Sequence, residues 1–251
     1  MKARIKFAKY GTMKYVGHLD IMRYFQKVIR RSGIPIKYSE GFNPHQIMSF
    51  AAPLGVGLTS SGEYMDIEMV EDIPCDEALK AISNEMVDEM EVLSFKYLPE
   101  KATNAMASVM ASTYSLTYKH PQEFDFTLEE LISYKKKFFD DSDEINVIKK
   151  TKKGEREVDL KPLIYDFDIV NGADIADFDD TLDKRPDIVF LINVSTGSND
   201  NIKPEFVLYH FFKSIGIDTK ERSSFYIHRI DMLTRNKDEK LISLDDVGFL
   251  V

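Results

Sequence analysis

The first hundred residues change their hydrophobic period in a fixed order, and that order limits the folds open to the chain. Lys2–Ala8 alternates Ala3, Ile5 and Phe7 with Lys2, Arg4 and Lys6, the pattern of a half-buried strand with a basic outer face. From about Leu19 to Arg31 the spacing becomes helical. Ile21, Met22, Phe25, Val28 and Ile29 make one apolar stripe, and Arg23, Lys27 and Arg30 line the opposite side. Gly33 supplies a stop. Extended segments at Ile34–Tyr38 and Gln46–Ala51 flank the loop SEGFNPH, and Glu63–Val70 reads as a further strand. Asp76–Met90 then predicts an acidic amphipathic helix after Pro74, followed by a strand at Glu91–Leu98. The order βαββαβ is the ferredoxin-like plan, an antiparallel sheet with both helices on one face.

Lys101–Val109 reads as a linker, after which a similar order restarts. Ala111–Tyr118 predicts a strand, Thr127–Phe139 a helix, and Asn146–Lys150 a strand running into a charged turn around Gly154. Val158–Tyr165 fits either a short helix or an extended segment. Ile188–Val194 is a continuous apolar strand, Pro204–Ile215 a helix with proline in its first turn, and Ser224–Leu233 a last strand. The expectation is an α+β chain of two tandem ferredoxin-like domains, 1–100 and 110–251, the second carrying an acidic insertion near 166–187.

Of the 251 residues, 43% are apolar and 30% charged, so wholesale disorder is excluded. No apolar run reaches the ~18 residues of a membrane span. The N-terminal stretch lacks the apolar centre of a signal peptide, which makes a soluble cytoplasmic protein the expectation. The lone Cys75 rules out an internal disulfide framework, a thiolate zinc cage and a self-contained iron–sulfur cluster, so no cofactor of its own is expected. The net charge of −9 argues against nucleic acid until its distribution is read. Residues 1–50 hold ten Lys and Arg against Asp20 and Glu40, and residues 51–100 hold two Lys against twelve acids. Such a dipole either steers an anionic partner or is neutralised where the two blocks meet in the fold.

Three motifs fall in the basic block: GHLD at Gly17–Asp20, the helix end IRRSGIP, and YSEGFNPH at Tyr38–His45. In the last, Gly41 gives backbone freedom and Pro44 rigidity. Phe42 offers a face for base stacking, Asn43 an amide for a base edge, and His45 an imidazole for proton transfer or a phosphate oxygen. The same residues also fit an ordinary turn with Phe42 in the core. His18 and Asp20 fit a helix cap, while with His45 they are the candidates for acid–base chemistry. Their spacing requires no metal, and none is expected. Arg23, Lys27, Arg30 and Lys37 supply the cations for a nucleic-acid contact, with Phe42 and Asn43 beside them. PLGVGLTSSG lacks the lysine of a phosphate loop, and KKTKKGERE reads as a solvated hairpin.

The run HLDIMRYFQKVIRRSGIPIKYSEGFNPHQIMSFAAPLGVGLTSSGEYMDIE resembles the radical SAM-linked protein family of bacteria, and the likeness returns at Lys149–Ile164 and Ile202–Leu208. At Gln46 the chain departs from the proline expected after the loop histidine. The resemblance implies a domain of unknown function, partnered with a radical SAM protein, in a neighbourhood of RNA and ribosome genes. It assigns no reaction. The expectation that follows is an accessory binding module contacting RNA or a ribonucleoprotein. The alternatives are an RNA-processing or RNA-modifying enzyme using His18 and His45, and a protein–protein docking domain.

Overall fold

The computed structural model describes residues 1–120, 126–151, 154–175, 185–197, 201–219 and 224–251. The chain is a mixed α+β protein with five helices and mostly antiparallel strands among these residues. It divides into two units, Met1–Met110 with Arg229–Val251, and Ala111–His228. No helix among the described residues is long and apolar enough to cross a membrane.

In the first unit the elements run β1 (Lys2–Lys9), α1 (His18–Ser32), β2 (Met48–Phe50), β3 (Thr59–Glu68), α2 (Cys75–Ser83) and β4 (Met90–Tyr97). β1 pairs antiparallel with both β3 and β4, and β2 pairs with β3. Ala3, Ile5 and Phe7 of β1 and Met65 and Ile67 of β3 face a core shared with α1 and α2. The α1 stripe contributes Ile21, Phe25, Val28 and Ile29, each worth about 1.5–3 kcal/mol relative to exposure. Gly33 closes the helix in the left-handed conformation at φ 72°. α2 is shorter than its sequence suggested, ending at Ser83 with Asn84 at its C-cap.

The outer face of β1 corrects the sequence reading. Arg4 is only 1% exposed, because a second apolar layer of Tyr64, Ala105, Val109, Met232 and Leu244 forms on that side. Ala105 comes from α3 (Ala105–Ser108), in the stretch read as a linker. Leu244 opens a single helical turn, Leu244–Val247. Arg4 donates two hydrogen bonds to the Asp66 carboxylate, at 2.8 and 3.0 Å, and one to the Leu244 carbonyl at 3.0 Å. Asp66 also accepts from the Ala105 N–H at 2.7 Å, so both members of the buried pair have further hydrogen-bond partners.

The first unit is completed by the chain's end, which the sequence had assigned to the second domain. β10 (Phe225–Arg235) lies beside β3 in strand order, and β11 (Leu241–Ser243) pairs with β10. Within the first unit the attachment is specific. Lys6 pairs with Asp231 at 3.5 Å, the Tyr64 hydroxyl donates to Asp231, and Lys96 pairs with Asp245. At Gly62 the backbones come so close that a Cβ would lie 2.4 Å from the Asp231 Cα.

The second unit contains β5 (Ala111–Tyr118), α4 (Leu128–Lys135), β6 (Asn146–Thr151), β7 (Gly154–Asp159), β8 (Ile164–Asn171), β9 (Ile188–Ser195) and α5 (Pro204–Ser214). β9 sits between β5 and β8, antiparallel to both. Lys119 at the end of β5 donates its N–H to the Ser224 carbonyl, just before β10. α4 starts on a reciprocal cap between Thr127 and Glu130 and continues into one π turn, Lys136–Asp140. Phe167, Phe190, Phe211 and Phe212 pack edge-on at the core.

One expectation changes here. Residues 166–171 belong to a strand and not to an acidic insertion: Ile164, Phe167 and Ile169 of β8 are buried while Asp166 and Asp168 point outward. The strand read at Asn146–Lys150 and the hairpin read at KKTKKGERE correspond to β6 and β7, which pair as a two-stranded sheet of their own. The remainder of the acidic stretch, 176–184, and Lys152 and Lys153 of the charged turn lie outside the described residues.

Candidate nucleic-acid interface

Amphipathicity fixes which side of α1 is left for a partner. With Ile21, Phe25, Val28 and Ile29 turned into the core, Arg23, Lys27 and Arg30 are exposed at i, i+4 and i+7 along the opposite face. Arg23 makes a 3.1 Å pair with Asp20, both side chains mostly in solvent, an arrangement that contributes little stability. Lys27 and Arg30 have no ion-pair partner among the described residues. Arg31, the next cation, is held by Glu85 at 2.8 Å.

Much of the basic block is neutralised inside its own unit. Arg4 meets Asp66, Lys6 meets Asp231, and Lys37 meets Glu68 at 3.5 Å. Lys9 is buried with Glu63 and Arg229 as its charged neighbours and donates to the Val16 carbonyl at 2.9 Å. Lys2, Lys14, Lys27 and Arg30 are the cations of the block without an ion pair among the described residues; Lys27 and Arg30 lie on the outer face of α1, with Arg23 and Lys37 in exposed, weakly held pairs.

The GFNPH segment is clamped at its base and open at its tip. Tyr38 bridges Gln46, the Ser39 N–H donates to the His45 carbonyl at 2.8 Å, and the Ile47 N–H donates to the Lys37 carbonyl at 2.9 Å. The Ser39 hydroxyl adds a 2.8 Å bond with His45 Nδ1 and accepts the His45 N–H at 3.1 Å. Gly41 turns the chain at φ 110°, a conformation that disfavours any side chain. Phe42 stands at the tip with 105% relative exposure, so it is not a core residue. Asn43, Pro44 and His45 are exposed beside it.

His18 belongs to different surroundings. Its ring packs edge-on against Phe50 at 5.5 Å and lines a small recess with Lys9, Ile21 and Glu63. Burial, then the Lys9 ammonium, hold its imidazole below the ordinary value. Asp20 is exposed and turned to Arg23, and the N-cap is Gly17 with no side-chain bond, so neither His18 nor Asp20 caps the helix. No hydrogen bond, ion pair or ring contact joins His18, Asp20 and His45. Among the described residues no group of three or more His, Cys, Asp and Glu is placed to hold a metal ion.

Sequence reasoning missed the charges beneath this surface. Glu63 pairs with Arg229 at 2.9 Å, and burial pushes the Glu63 carboxyl up against the pull of Arg229. A signal was available: Glu63 and Arg229 are charges within strand segments, EYMDIEM and IHRIDM, and a charge that a strand buries needs a partner.

No curated protein matches the chain. Among solved structures, a protein described as unknown from Galdieria sulphuraria aligns over 91% of this chain and 97% of its own, at 10% identity and a TM-score of 0.24. A family model covers residues 2–204, which include α1, the GFNPH loop and most of the second unit. The chain therefore belongs to a family of uncharacterized proteins conserved in bacteria, DUF2344.

Proposed function

We propose that this protein is a binding module that presents α1 and the GFNPH loop to single-stranded RNA, in the service of a radical SAM enzyme. The observation that carries the reading is Phe42. An aromatic ring wholly in solvent on a clamped loop has no role in the core, and it follows a helix whose outer face carries Arg23, Lys27 and Arg30. Stacking on such a ring is sequence-tolerant and worth about 1–3 kcal/mol per base, while the cations meet the phosphates. The radical SAM partner rests on the resemblance of the HLDIMRYFQ–GFNPH run.

The strand orders favour a ferredoxin-like reading of each unit, a scaffold compatible with RNA by analogy of fold alone. The first unit runs βαββαβ with β4-β1-β3-β2 adjacency, and the second follows β5, α4, β8, β9, α5 and the opening residues of β10, Phe225–His228, with the β6–β7 hairpin inserted. Fluorescence anisotropy with labelled single-stranded RNA is the test. Phe42→Ser is expected to weaken binding roughly tenfold, the loss of one stacked base. Unchanged affinity would remove Phe42 from the interface, and no affinity at all would leave docking to a protein partner as the function.

A further inference from the structure

Lys9 ends β1 with 2% of its surface exposed, a place that lysine almost never takes without a paired charge. Its ammonium carries three N–H donors, and the Val16 carbonyl at 2.9 Å takes one of them. Glu63 is its acidic neighbour, but that carboxylate is turned to Arg229, 2.9 Å from Nε and 3.3 Å from Nη2. Lys9 has no ion pair and no second hydrogen bond among the described residues. A buried donor left without an acceptor is rare in native proteins, and more so when it is charged.

A place for the acceptor lies beside it. Lys9, His18 and Glu63 line one recess of about 20 Å³, walled by Phe7, Ile21 and Phe50. One water needs at least about 10–15 Å³, so the recess admits a water and is far too small for a phosphate, a carboxylic acid or a nucleotide. The lining is mixed in sign. Lys9 donates, while the ring nitrogens of His18 have no hydrogen-bond partner among the described residues. Burial, and then the Lys9 ammonium, keep that ring neutral at pH 7, which leaves it one nitrogen that accepts. A halide would accept from Lys9, but it has no proton for His18 and would face the Glu63 carboxylate. Water meets both needs.

We infer that this recess is the site of one ordered water, which accepts from Lys9 Nζ and donates to a ring nitrogen of His18. Lys9 is the last residue of β1 and His18 the first of α1, so the water joins the end of the strand to the start of the helix. It is thereby a positioning element for α1, and it stands whether or not the outer face of that helix meets RNA.

Two measurements on the full chain test this. In crystals grown with bromide in place of chloride, a single peak without anomalous signal should lie about 2.7–3.2 Å from both Lys9 Nζ and one His18 ring nitrogen. In solution, Ile21 and Phe50 side-chain protons should show nuclear Overhauser effects to water, with the sign of a long-lived bound molecule. Lys9→Met keeps the apolar bulk and removes the donors, and both signals should be lost. The two readings on the parent chain decide the matter even if that variant does not fold. An anomalous bromide peak in the recess, a recess without density, a parent chain without the water signal, or a peak retained in Lys9→Met would each overturn the assignment.

Discussion

Replacing Asp66 by Asn tests how the first unit is held shut. The carboxylate accepts three hydrogen bonds, from Arg4 Nε at 2.8 Å, from Arg4 Nη2 at 3.0 Å and from the Ala105 N–H at 2.7 Å. Its side chain is 6% exposed and that of Arg4 is 1% exposed. An amide keeps the shape, removes the charge and turns a donor towards donors, leaving the guanidinium uncompensated. Breaking a buried pair in this way costs about 3–5 kcal/mol, a large share of the ~5–15 kcal/mol stability of a domain. Because the chain has two units, urea unfolding is best read by hydrogen exchange at β1 and β3. Protection there should fall by the full amount while that of β5 and β9 is unaffected. The double change Arg4→Met with Asp66→Leu should recover most of the loss, since the second substitution removes the orphaned charge. A loss under about 1 kcal/mol for Asp66→Asn would match a solvated pair and refute the buried layer over β1.

Gly62→Ala should destabilise the first unit by about 1–3 kcal/mol, measured by the same exchange, because the added Cβ meets the Asp231 backbone. His18 should make stability depend on pH with a defined sign. Its folded pKa is lowered, so the unfolded chain binds the proton first as pH falls through the free imidazole value of about 6.5. Stability should thus drop between pH 7 and the folded pKa, and His18→Gln should flatten that slope in unfolding curves of the first unit. Phe42→Ser should leave the unfolding midpoint within about 0.5 kcal/mol of the parent, as expected for a residue that buries nothing.

Local patterns were legible where their partners are local. The α1 stripe, the Gly33 stop and the strands at Ala111–Tyr118 and Ile188–Ser195 follow from periodicity alone. Acids hid β8, because Asp166 and Asp168 on its exposed face mimic a loop while Phe167 and Ile169 keep the two-residue period. The fate of the basic strand face was not legible. Arg4 finds its partners 62 and 240 residues away, and no window along the chain contains both ends of those bonds. The candidate surface was half legible for the same reason. The face holding Arg23, Lys27 and Arg30 follows from helical spacing, and the exposure of Phe42 depends on the Ser39–His45 clamp. The surroundings of His18 were decided by packing, since its ring turns to Phe50.

The salt dependence of RNA affinity tests the proposed interface most directly. Neutralising one phosphate each by Lys27 and Arg30 gives a log–log slope of about −1.4 on a single strand, and adding Arg23 and Lys37 takes it to about −2.8. Anisotropy titrations across a salt series should place the parent protein between those values. Lys27→Glu with Arg30→Glu should bring the slope close to zero or to that of Arg23 and Lys37 alone, about −1.4. Both side chains are exposed and have no ion pair among the described residues, so folding should be untouched. A parent protein with no salt-dependent affinity, or a charge-reversed variant with the parent's slope, would contradict the account.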